Sequence, residues 1–187
     1  MNRMFYQLID DESIKGRWYL DEAVSKYNEI NVWDLTAGRR LSEQIRLIIP
    51  IQHYGTPLDF TLAGFDVPVV VNKVASLFNS FDPNNIQIVH AEVGNDSDNY
   101  KVLNITRCLE CVNQDISEFD LWTVNDGRPD KVGQYRTMYN LKIDESKIAS
   151  DEHCFRVKHW EVALIVSDAL KREIENQGVT GAKFVAV

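Results

Sequence analysis

Apolar and polar residues alternate most clearly over positions 135–143, where Tyr135, Thr137, Tyr139, Leu141 and Ile143 are interleaved with Arg136, Met138, Asn140 and Lys142. A period of two sends successive side chains to opposite faces of a strand, so the stretch predicts one with its odd-numbered face on a core. Leu58, Phe60 and Leu62 repeat the pattern over a shorter span. Ile86–Val93 and 100–106 predict two further strands, joined as a hairpin through six turn-forming residues, Gly94 to Asn99.

Two stretches share a plan. Val69, Val70 and Val71 lead into Asn72, then Val74, Leu77, Phe78 and Phe81 at helical spacing, a Pro83-Asn84-Asn85 break, and the strand from Ile86. Leu164, Ile165 and Val166 lead into Ser167, then Ala169, Leu170 and Ile174, a stop at Gly178, and a last strand over 182–187. Asn72 and Ser167 are the expected N-caps, each accepting from an orphan backbone N–H, and Gly178 can take the left-handed turn that ends a helix. The fold class that follows is α+β: one domain over 1–187, a mostly antiparallel sheet with a few packed helices, including two cap-helix-strand units.

Length and composition support a real core. At 187 residues with 44% apolar content, folding buries about 70% of the unfolded surface. Apolar runs such as Ile48 to Ile51 fall far short of the ~20 residues of a membrane helix, so no membrane association is expected. The first residues carry no secretion signal, which predicts a cytoplasmic protein with its three cysteines reduced. A net charge of −8 with scattered Lys and Arg disfavours nucleic acid as a partner.

Candidate chemistry is sparse, and no cofactor is expected. Cys108 and Cys111 have the spacing of a ligand pair, and His153 with Cys154 could complete a zinc set. Against this, structural zinc sites usually show two close pairs, and small thiols are common in cores. None of His53, His90, His153 and His159 has the spacing that puts two ligands on one helix face, and no nucleophile elbow or phosphate loop occurs. Gly127-Arg128-Pro129-Asp130 reads as a turn. Asp115, Glu118 and Asp120 cluster next to Trp122, and an aromatic beside acids suits a protein interface, although burial is the ordinary state of a Trp.

The segment from Phe155-Arg156-Val157-Lys158-His159-Trp160 through Ile165-Val166-Ser167 to Thr180-Gly181-Ala182-Lys183-Phe184 resembles a bacterial family, the eleventh-numbered immunity family of polymorphic toxin systems. Its members carry a strand with a Trp, an apolar-Val-Ser helix start and a Thr-Gly-apolar-x-Phe ending. The resemblance is clearest over 57–187 and looser before that. At the first helix Asn72 stands where Ser is often found. The resemblance implies a non-catalytic protein that binds and neutralises a cognate toxin inside the producing cell, with these motif residues serving architecture. Two other readings stand beside it: an enzyme using a carboxylate cluster with His90 or His153 in a pocket, and a metal-supported structural domain.

Overall fold

A computed structural model describes residues 3–25, 27 and 30–187. In chain order its strands and α-helices are β1 (Phe5–Asp10), β2 (Tyr19–Leu20), β3 (Val24–Ser25), β4 (Arg46–Ile49), β5 (Ile51–His53), β6 (Phe60–Ala63), β7 (Val67–Val71), α1 (Asn72–Phe81) and β8 (Ile86–Val93). There follow β9 (Asp96–Ile105), β10 (Cys108–Leu109), β11 (Glu118–Leu121), β12 (Tyr135–Asn140), β13 (Cys154–Val157), β14 (Trp160–Ser167), α2 (Asp168–Asn176) and β15 (Ala182–Ala186). The class is α+β. Among these strands, only β4 with β8 and β10 with β13 pair in parallel; one isolated parallel bridge joins Arg17 and Thr56. No described helix is long and apolar enough to cross a membrane.

Two sheets carry the fold, one ordered β3-β4-β8-β9-β7-β6 and the other β10-β13-β14-β1-β15. Period-two alternation sorts their residues into three buried layers. Val69 and Val102 face one layer, whereas Val70 and Leu103 face the next. Leu164 and Val166 share that middle layer with α1 and α2, whereas Ala163 and Ile165 face a third. Because both faces of both sheets are covered, their inner strands are nearly continuous apolar runs, such as Val67–Val71 and Ala163 to Val166. This also accounts for β6, where Phe60 and Ala63 are buried and Leu62 only partly so.

The repeated plan is a repeated topology. β7 and β8 flank β9, which is antiparallel to both; β14 and β15 flank β1 in the same manner. Each helix therefore joins two parallel strands across one inserted antiparallel strand, a split βαβ unit. In the first unit the insert follows β8 through a hairpin. In the second it comes from the start of the chain.

One of the two helix starts differs from expectation. The backbone at Val71 and Ser167 is the same, φ −72° and ψ 159°, but only Ser167 caps with its side chain, accepting from the Leu170 N–H at 3.3 Å. β7 runs straight into α1, so the cap position falls on Val71. Asn72 is the first helical residue, and its amide donates to the Asp98 carbonyl at 2.9 Å. Ser167→Ala should therefore lower stability by about 1 kcal/mol in urea unfolding, and Asn72→Ala by less than half of that. Equal losses would contradict this difference. At the other end Gly178, at φ +62°, makes a Schellman motif: its N–H reaches the Glu175 carbonyl and that of Val179 reaches Ile174.

Two strand expectations are corrected. The hairpin turn is two residues, Gly94 and Asn95, since Val93 pairs with Asp96 and β9 starts there; left-handed Gly94 permits the tight turn. The alternation over 135–143 does not survive as one strand. β12 ends at Asn140, its register with β11 shifts twice, and Met138 packs inward while Tyr139 is 67% exposed. Each bulge inserts a residue and resets which face points to the core.

Candidate functional site

The four candidate zinc ligands are not brought together. Cys154 lies in the layer between the sheets and Cys111 in the layer beyond the five-stranded sheet. Nδ1 of His153 is 2.8 Å from the Ser167 hydroxyl, and its ring meets Phe81 edge-on. Among the described residues no group of three or more His, Cys, Asp or Glu side chains could hold a metal ion. Burial pushes the Cys111 thiol up to about 12 and raises Cys154 as well, so neither readily forms the thiolate that metals and electrophiles require. At pH 8 the native protein should therefore show a disulfide probe at most one reactive thiol, Cys108, with all three reacting after unfolding. Rapid native labelling of Cys111 or Cys154 would contradict the burial.

Neither His90 nor His153 lines either of the two large clefts described below. Burial, reinforced by the charges of Lys101 and Arg46, lowers the pKa of His90; burial and Arg3 do the same for His153. The acidic candidates are dispersed. Asp120 accepts from the Tyr139 hydroxyl at 2.8 Å, and Glu118 sits opposite Asn140 at an exposed end of the β11–β12 pair. Asp115 lines a polar cleft of about 680 Å³ with Asp144, Lys147 and Lys158.

Trp122 belongs to a second cleft, of about 640 Å³, which adjoins the first along the β13–β14 turn at His159. Three segments build it. The first is the β11–β12 arm, which anchors on the body through Tyr135, Phe119 and Met138. Its long connection is folded by a capping box between Thr123 and Asp126 and by left-handed Gly127 and Gly133. This arm contributes Trp122, Arg128, Lys131 and Arg136.

The second segment is a short 3₁₀ helix, Val32–Leu35, whose Asn31–Asp34 capping box presents Trp33. That ring is 53% exposed and meets Phe65 at 4.4 Å. The third is the start of β14, with Trp160 and Glu161. Three of the chain's four Trp residues thus share one opening.

The lining around Trp122 carries three cations against one carboxylate, with further acids paired to two of those cations. The Lys131 ammonium lies 5.7 Å from its ring centroid, within cation–π range. Arg128 is paired with Asp130 at 3.0 and 2.8 Å, and Arg136 with Asp126 at 2.9 Å and with Asp120 at 3.7 Å. All of these pairs reach solvent, where an ion pair contributes at most about 1 kcal/mol and exchanges easily. Lys131 makes no ion pair among the described residues.

Behind the cleft wall lies Arg156, 0% exposed. Its guanidinium donates to the Glu161 carbonyl at 2.6 Å and to the Asp66 carbonyl at 3.1 Å, and its Nε has no hydrogen-bond partner among the described residues. Among the described residues no carboxylate pairs with it directly. Phe65, Asp66 and His159 are the non-glycine residues with positive φ among those described, at 61°, 55° and 67°. Such backbone costs of order 1–3 kcal/mol per residue and concentrates where a surface must hold a particular shape. All three border this region. Arg156 holds one of the strained pair in place through the Asp66 carbonyl.

Sequence reasoning singled out Trp122 but not Trp33, Lys131 or Arg156. For Arg156 a signal existed: it shares the parity of buried Cys154 in an otherwise apolar strand. For Trp33 and Lys131 there was none, because the arm and the 3₁₀ helix meet only in three dimensions.

No curated protein matches the chain. A family model does, and it extends well into the amino-terminal third, where the resemblance is looser; this accords with β1 forming the centre of the β14-β1-β15 arrangement. That model describes the immunity protein family Imm11 and matches residues 6–187, so the chain belongs to this family.

Proposed function

We propose that this protein binds a cognate bacterial toxin in the cytoplasm of the producing cell and neutralises it stoichiometrically, without catalysis. The observation that carries this reading is the family match over residues 6–187. Support comes from the surface, where exposed Trp33 and partly buried Trp122 and Trp160 beside Arg and Lys have the composition that dominates binding energy in protein interfaces.

The test is co-expression with the toxin encoded beside it, followed by titration of the purified toxin. Growth should be restored, and inhibition should end at a fixed molar ratio. Failure to rescue or to form a complex with that toxin would refute the reading. Protection at far below one equivalent would replace binding with catalysis.

A further inference from the structure

We infer that the cleft between the β11–β12 arm and the body is the docking site for an acidic segment of the toxin that carries an apolar or aromatic side chain. The inference rests on the proposed neutralising role and names the surface and partner chemistry that would serve it. Trp33, Trp122 and Trp160 supply the apolar floor and walls. Arg128, Lys131 and Arg136 supply the charge, against one lining carboxylate, Glu161, in a chain whose net charge is −8. An opening whose lining carries more cations than carboxylates, in an acidic protein, favours a partner segment of opposite sign that can replace the local acids, since like charges brought together there would be desolvated without compensation.

Three further observations favour an acidic occupant over a purely apolar one. Lys131 has no carboxylate of its own among the described residues and is held over Trp122. The acids that engage Arg128 and Arg136 sit in solvent-reaching pairs that an incoming carboxylate can replace. Buried Arg156 stands directly behind Glu161, donating to its carbonyl, and a charge in low dielectric projects its field further than one in water. It offsets the one acid in the lining. A volume of about 640 Å³ admits several side chains of a loop or helix end, not only one.

The experiment measures toxin affinity for the wild type and for Trp122→Ala, Lys131→Glu, Lys131→Met and an off-site charge reversal, Arg172→Glu on α2. Circular dichroism and thermal melts check that each variant folds. Trp122→Ala and Lys131→Glu should each weaken binding by at least about 30-fold, the loss typical of an interface hot spot. Lys131→Met should weaken it less and reduce the salt dependence of the on-rate, while Arg172→Glu should stay within about threefold of wild type.

If wild type binds and neutralises but the cleft variants bind equally well, the location is wrong and the immunity reading stands. If wild type does not bind, both fall. A concentration-dependent dimer lost in Lys131→Glu, with toxin affinity unchanged, would assign the cleft to self-association and overturn the proposal.

Discussion

Replacing Arg156 with Ala should cost about 3–5 kcal/mol, the largest loss we expect from a single polar side chain in this protein. The side chain is fully buried and donates to the carbonyls of Glu161 and Asp66. Removing it leaves both acceptors unsatisfied, at about 1–3 kcal/mol each, and opens a cavity. Burial pulls its pKa down, yet a guanidinium stays charged in proteins, so its desolvation cost is real and opposes those gains.

Arg156→Met separates these effects, since Met fills much of the space and carries no charge to desolvate. It should lose roughly half as much as Ala. Equilibrium denaturation measures both, and an Ala variant within about 1 kcal/mol of wild type would show that the buried cation is dispensable. Because Arg156 holds Asp66, and Phe65 beside it packs on Trp33, the Ala variant should also change Trp emission before global unfolding.

Gly181→Ala should be comparably severe, and Gly178→Ala mild. At Gly181 φ is +91°, and a Cβ would sit 2.1 Å from the Phe60 carbonyl oxygen, a backbone atom that cannot swing aside. At Gly178 φ is +62° with nothing within 4 Å of a Cβ, so only the left-handed strain remains, about 1 kcal/mol. We expect more than about 3 kcal/mol at Gly181, given the class of core overpacking with a forced backbone shift. Similar losses at the two sites would mean that the close approach to Phe60 relaxes readily.

The contrast accounts for the Thr180-Gly181 pair. Thr180 accepts from the Phe60 N–H through its carbonyl, its hydroxyl and N–H bond Asp59, and Gly181 lets the two segments touch. The motif therefore fastens the second split βαβ unit to β6, joining the two sheets at that point.

Several elements were legible from local chemistry. Ser167 begins α2 and Gly178 ends it because a hydroxyl cap and a left-handed residue each act on backbone groups at most five positions apart. The strands Ile86–Val93 and Ala182–Ala186 follow from apolar runs bounded by turn residues. Legibility failed where a neighbour decided the outcome. Asn72 lost the cap position because β7 extends to Val71. The pattern over 135–143 broke because β11 imposes two bulges on its partner.

The sequence by itself determined the fold class, the paired strand-helix-strand plan and family membership, since these rest on periodicity, caps and short motifs that act over a few residues. Only the tertiary structure decided that β9 and β1 are inserted to split each unit, because pairing between distant strands leaves no local mark. It also decided the cleft. Trp33, Trp122 and Trp160 lie far apart along the chain and come to line one cleft only when the arm folds against the body. Burial of Arg156 behind that wall, with carbonyls instead of a carboxylate for partners, is likewise a property of assembled elements and not of any one of them.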